Sequence, residues 1–278
     1  CISELENSIN APWLGKSVVT FGDSLTQFKD LSGTTYPDWL KYITGANVIN
    51  VGIGGTQIRV RETPTLSPSN DPEAYAGLDI FNMVKAAVSK EFDIVKNSAI
   101  YVRDNTSVQY NPYEVVQRLM SIDWSNVDIV VFFAGTNDWN NGKVLGESGS
   151  MDEYTTLGAI NSIIKLLHSA YPHVQIYWFT PVVRNVGSGG SSSWGESTWA
   201  GNVQNSEGKT LLDYVDAIKS EVERNCVPVC DLYRTMGWNQ SNFKFYFNTN
   251  DGTHPGRGFR YIAHKIASFI DANKTIEL

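Results

Sequence analysis

The chain has 278 residues, of which 42% are hydrophobic and 18% charged. That composition excludes a disordered chain, and the length suits one large α/β domain, with two small domains as the alternative. A formal net charge of −7 argues against nucleic acid and anionic membrane surfaces as partners, without selecting any substrate.

No apolar run approaches the roughly 20 residues of a spanning helix, so no integral membrane segment is expected. No signal-peptide pattern is present. The chain starts at Cys1 without a Met, which reads as a processed product or a cut domain. Ile2, Leu5 and Ile9 follow a heptad-like spacing in a polar background. They suit a short helix packed on the domain, the stub of an upstream helix, or a segment behind a lipid-modified Cys1. Residues 1–14 are therefore expected to be a helical stub or linker, and residues 15–278 the main domain. A secreted, periplasmic or surface-attached location is expected, with the cytoplasm left open. The oligomeric state is not legible.

Apolar β-branched runs then alternate with helical patterns. Ser17 to Phe21 reads as a buried strand running into Gly22. A short helix is expected from Tyr36 to Ile43. Asn47 to Val51 is a second strand ending in the glycine-rich Gly52-Ile53-Gly54-Gly55. A long helix, with a break allowed, is expected over Leu78 to Val95, and another over Tyr113 to Met120. Asp128 to Phe133 is the third strand. Leu157, Ile160, Ile163, Ile164 and Leu167 have helical spacing within Tyr154 to Tyr171. Val174 to Phe179 is the fourth strand, Leu211 to Asn225 a helix, Val227 to Leu232 the fifth strand, and Gly258 to Ala272 the last helix. Continuous apolar strands imply a parallel sheet covered on both faces. The fold class is thus α/β, a three-layer α/β/α sandwich with its site at the carboxyl ends of the strands.

Cys226 and Cys230 are separated by Val227-Pro228-Val229. An extended run of that length holds their Cα atoms too far apart for a disulfide. With neither a Cys-x-x-Cys pair nor a Cys/His cluster, no metal site and no cofactor are expected.

Three segments fall at the expected strand ends or just before the last helix. They are Gly22-Asp23-Ser24, Gly135-Thr136-Asn137-Asp138 and Asp251-Gly252-Thr253-His254. Ser24 is the candidate nucleophile; read alone, it is equally a helix-capping serine. Thr26 stands where the second glycine of a Gly-x-Ser-x-Gly elbow would be. His254 is the candidate base. Of the four histidines only it lies in a loop with a carboxylate, Asp251, three residues before it. Asp251 would hold Nδ1 and leave Nε2 for the serine proton. The side-chain amide of Asn137 and the backbone N–H groups of Gly55 and Ser24 are the candidate oxyanion donors. Asp138 and Asp23 read as turn residues that bond loop N–H groups.

These blocks resemble the SGNH, or GDSL, hydrolase family. The first is Phe21-Gly22-Asp23-Ser24-Leu25-Thr26 and the second Asn50-Val51-Gly52-Ile53-Gly54-Gly55-Thr56, with Gly55 at the oxyanion glycine. The third is Gly135-Thr136-Asn137-Asp138 and the last Asp251-Gly252-Thr253-His254-Pro255. The resemblance implies a flavodoxin-like sheet of order 2-1-3-4-5 and metal-free ester hydrolysis through a Ser24, His254 and Asp251 triad. Gln27 departs from the pattern, near a position where many members carry glycine. About eighty residues separate the second block from the third, so added loops are expected to shape the cleft.

The family covers lipases, thioesterases and carbohydrate O-acetylesterases, so the fold does not select the ester. Residues 185–208 are rich in Gly and Ser and carry Trp194 and Trp199. Those rings suit stacking on sugars, or equally anchoring the loop to the body. Trp139 and Arg59 are further candidate substrate contacts, although Arg59 and Arg61 read first as solvent-facing. No long apolar lid is evident. The expected substrate is a small ester or acylated carbohydrate from which an acetyl group is removed. A general short-chain esterase, thioesterase or lipase-like acylhydrolase is the alternative. A weakly active binding or spacer module of an extracellular assembly is the alternative from another class.

Overall fold

Side chains along a strand alternate between faces, and here both faces are apolar. The structure is a computed structural model that describes residues 12–61, 77–105, 110–186, 198–247 and 252–275. Its strands are β1 (Ser17–Gly22), β2 (Asn47–Asn50), β3 (Ile129–Phe133), β4 (Gln175–Phe179) and β5 (Val229–Cys230). They form one parallel sheet of order β2-β1-β3-β4-β5. Val19, Phe21, Val130, Phe132, Ile176 and Trp178 face one buried layer, and Val18, Ile129, Val131, Phe133, Tyr177 and Phe179 the other.

Register places Phe21 beside Phe132, and Phe132 beside Trp178. The three rings stack in a row with centroids 5.3 and 4.6 Å apart. Truncating a buried ring of this kind to alanine typically costs about 3–5 kcal/mol, so this row fixes the alignment of β1, β3 and β4.

On that layer lie α3 (Ile80–Ser89), α4 (Asp93–Asn105), α5 (Pro112–Met120), α7 (Thr156–Ala170) and α8 (Leu211–Arg224). On the other lie α2 (Tyr36–Thr44) and α11 (Phe259–Asn273). Short helices α1 (Ser24–Gln27), α6 (Thr136–Asn140), α9 (Leu232–Thr235) and α10 (Phe243–Tyr246) and a 3₁₀ turn at Trp124–Asn126 complete the described elements. Thr35 with Asp38 and Thr210 with Asp213 form reciprocal capping boxes that start α2 and α8.

The break allowed for within Leu78 to Val95 is present, and the segment forms two helices. Lys90 adopts φ +65° and donates its N–H to Ala86, ending α3. The second helix then runs ten residues past the expected end, to Asn105. The fifth strand is shorter than expected, because Asp231 caps α9 by accepting from the Arg234 N–H. Trp13 is fully buried and its indole N–H donates to Asp271 at 2.9 Å. Residue 13, ahead of the boundary expected after residue 14, therefore packs on the domain. Cys1, Ile2, Leu5 and Ile9 lie outside the described residues. Among the described residues no helix is long and apolar enough to cross a membrane.

Helix α8 also carries a buried ionic node. The Glu221 carboxylate accepts from Ser148 Oγ at 2.6 Å, Gly149 N at 2.9 Å, and Arg224 Nε and Nη2 at 2.9 and 2.8 Å. Burial would raise this carboxyl, but those hydrogen bonds outweigh it and hold it down to about 2. A depressed folded-state value means stability that is present above the ordinary value of 4.5 and lost as pH falls towards about 2. Glu221→Gln is expected to lower the unfolding free energy at pH 7 by about 2–3 kcal/mol. It should also flatten the acid limb in that window. Acid titration of unfolding in both proteins checks this, and coincident curves would show that the node contributes nothing.

Candidate active site

Strand β1 ends in a glycine because nothing larger fits. A Cβ on Gly22 would lie 2.0 Å from Thr26 Oγ1 and 2.5 Å from the Phe133 carbonyl oxygen. The chain can therefore turn tightly at Asp23. Asp23 is buried and accepts the Leu25 N–H at 2.9 Å, capping α1. Ser24 is the first residue of that helix and is 8% exposed. Asn50, at the end of β2, donates its amide to the Thr26 carbonyl at 2.8 Å and accepts the Gly52 N–H at 2.9 Å. One side chain thus ties the nucleophile turn to the glycine-rich loop.

That loop is also tied to the strand ends. The Ile53 N–H donates to the Gly22 carbonyl at 3.0 Å, and Gly22 is in register with Phe133. Gly55 has φ +77°, a conformation that glycine adopts without penalty. Two consecutive residues of α6 grip the loop. The Asn137 amide donates to the Thr56 carbonyl at 2.9 Å. Asp138 accepts the Ile58 N–H at 3.1 Å and the Thr156 hydroxyl at 3.3 Å. Asp138 and Asp23 do the loop-bonding expected of them, and burial pushes the Asp138 carboxyl up.

His254 follows Gly252, whose carbonyl accepts the Asn185 N–H at 2.9 Å. Its ring is partly buried and packs on Phe28 with centroids 4.8 Å apart. His168, His173 and His264 are exposed. Burial is the largest influence on Asp23 and pushes its carboxyl up to about 7, against the lowering effects of the Leu25 N–H, His254 and Arg184. The histidine is therefore near enough for its charge to act on the carboxyl that precedes Ser24. Asp251 lies outside the described residues.

Ser24 and Asn137, in the short helices that follow β1 and β3, and Gly55 and His254, in loops, are thus tied together by these contacts. The other candidates fare differently. Arg59 and Arg61 are not solvent-facing: each is 4% exposed. Arg59 Nη1 donates to the Tyr154 carbonyl at 2.9 Å, and the Arg61 guanidinium donates to the Gly55 carbonyl. Their charges sit near the buried Asp138 carboxyl, and Arg61 also near Asp79. Trp139 is 2% exposed, with its indole N–H on the Lys209 carbonyl at 3.0 Å and the Arg184 guanidinium over its ring at 5.6 Å. Trp199 is half-buried, packed edge-on to Phe243 at 5.3 Å. This is the anchoring geometry. Trp194 lies outside the described residues.

Sequence reasoning missed Arg184, whose Nη1 donates to Thr136 Oγ1 at 3.1 Å. It also missed Tyr110, whose hydroxyl donates to the Gly54 carbonyl at 2.9 Å. No local pattern marks either residue. Gln27, flagged only as a departure, accepts the Gly54 N–H.

A model of the GDSL-like lipase/acylhydrolase family matches residues 20–257. Among solved structures, the chain is similar to a protein from Lactobacillus plantarum, with 22% identity and a TM-score of 0.62 over 94% of this chain and 99% of the other. It is similar to a possible lipase from Chitinophaga pinensis, with 18% identity and a TM-score of 0.57 over 92% and 98%. It is also similar to a carbohydrate acetylesterase family member from Sinorhizobium meliloti, with 14% identity and a TM-score of 0.50 over 92% and 98%. At these identities the likeness shows the fold alone. No curated protein matches the chain by sequence.

Proposed function

The chain belongs to the GDSL-like lipase/acylhydrolase family, and from that premise we propose that it is a serine ester hydrolase that removes acetyl groups from a carbohydrate or glycoconjugate. Ser24 Oγ attacks the ester carbonyl while His254 takes its proton, with Asp251 orienting the imidazole. The tetrahedral oxyanion accepts from Gly55 N–H, Asn137 Nδ2 and Ser24 N–H. Collapse expels the alcohol, which His254 protonates. Water then attacks the acyl-serine with His254 again as base, releasing the acid and restoring Ser24.

The observation that carries this is the coupling of the loops bearing these residues. Ile53 bonds Gly22, Asn137 bonds Thr56, and the His254 ring packs on Phe28, which directly follows the helix that Ser24 begins. Acetyl is proposed as the acyl group that requires no apolar slot beside the polar side chains bonded to these loops, namely Gln27, Tyr110, Asn137 and Arg184. A long acyl chain needs an apolar slot, where each methylene would contribute up to ~0.8 kcal/mol. A sugar alcohol is favoured by exposed rings next to the histidine loop. Phe245 is 52% and Tyr261 46% exposed, and Arg257, three residues past His254, lies over Phe245 at 5.6 Å. Such rings offer an apolar face to a sugar, and Tyr261 adds a hydroxyl.

Rates on aryl esters are expected to fall from acetate through butyrate to octanoate. Acetate release from acetylated xylan should suffer more from Tyr261→Ala than release from an aryl acetate does. Octanoate as the best ester would refute the acetyl preference. Equal losses on glycan and aryl ester would refute the sugar platform.

A further inference from the structure

The N–H proposed to meet the oxyanion belongs to the peptide joining Gly54 to Gly55. That peptide's carbonyl is the Gly54 oxygen, which accepts the Tyr110 hydroxyl at 2.9 Å. A peptide group is one resonance unit, so a donor on its oxygen draws density from its nitrogen and strengthens the N–H as a donor. One residue earlier, the Gly54 N–H donates to Gln27 Oε1. One residue later, the Gly55 carbonyl accepts from Arg61. Three successive peptide units are thus held by three side chains, two of them remote in sequence. The Gly55 N–H itself has no partner among the described residues.

Gly54 is a glycine for the same reason. A Cβ there would lie 2.8 Å from Gln27 Oε1 and 3.3 Å from the Tyr110 hydroxyl. The two side chains close on bare backbone. Their own places are fixed too. Gln27 is the last residue of α1, which Ser24 begins. Tyr110 packs on Phe28 with centroids 6.3 Å apart, and Phe28 packs on His254. Tyr110 belongs to the long stretch between the second and third blocks, and Gln27 is the residue that departs from the family pattern.

We propose that Tyr110 and Gln27 are positioning residues for the oxyanion donor: Tyr110 polarises and orients the Gly54–Gly55 peptide, and Gln27 pins the Ile53–Gly54 peptide directly before it. This rests on the hydrolase reading above. The two residues act through the Gly55 N–H, which bonds most strongly when the carbonyl oxygen becomes negative. Their removal therefore acts on kcat and not on KM.

Tyr110→Phe keeps the ring and deletes the hydroxyl. With an aryl acetate, its kcat is expected to fall about tenfold, with KM within about twofold and Tm lowered by no more than a few degrees. Gln27→Ala should show the same split. A purely structural role would lower Tm or move KM while leaving the kcat of the folded protein unchanged. The rate of inactivation by a fluorophosphonate should fall with kcat, because its phosphoryl oxygen needs the same donors. A wild-type protein in which Ser24 takes no fluorophosphonate overturns this inference together with the hydrolase reading. Label on Ser24 with wild-type kcat in both variants overturns this inference alone. So does a Tyr110→Phe variant that loses kcat only in step with Tm while Gln27→Ala retains wild-type kcat.

Discussion

Ser24→Ala is expected to cut turnover of an aryl acetate by about 10⁴–10⁶ with Tm unchanged. The loss is large because the hydroxyl supplies the bond-forming atom. What persists comes from binding and the oxyanion donors. The fold should survive because Ser24 does little for it. Helix α1 is capped by Asp23, which accepts the Leu25 N–H. The turn is packed by Gly22 against Thr26 and braced by Asn50 on the Thr26 carbonyl. Matched circular dichroism with lost turnover is the expected result. Retained turnover in the purified variant would remove Ser24, and with it the proposed chemistry.

The layers of the fold are legible because burial leaves a pattern in the chain. Apolar runs such as Ile129–Phe133 can be buried on both faces only in a covered parallel sheet. The site loops are legible because they must follow those strands. Less legible is whatever depends on distant partners. Lys90 ends a helix with φ +65° although no glycine marks the place. Arg59 and Arg61 look like surface charges until Asp138, Asp79 and the Tyr154 and Gly55 carbonyls are brought to them by folding. A charged side chain is buried where partners make that affordable, and the partners of these two are remote in sequence. Tyr110 is the same case. Its role depends on a carbonyl 56 residues away, and a lone tyrosine beside a helix start carries no sign of it. Trp199 looked equally suited to sugar or to core, and its contact with Phe243 favours the core.

Asn137→Ala is expected to lower kcat by about 10²–10³ while KM changes little. A primary amide has two N–H donors. One is committed to the Thr56 carbonyl at 2.9 Å, and that bond holds the amide plane against the loop carrying Gly55. The second is the one proposed for the substrate oxygen. It would gain most when that oxygen turns from carbonyl to oxyanion, so its loss raises the barrier without loosening the bound ester. Alanine also gives up the Thr56 bond, a net loss of about 1 kcal/mol of stability. The loop keeps its grip through Asp138 on the Ile58 N–H, so Tm should fall by only a few degrees. Steady-state kinetics with thermal unfolding of the same preparation separates the two effects. An unchanged kcat beside a lowered Tm would reduce Asn137 to a loop tether and leave the oxyanion to the Gly55 and Ser24 backbone alone.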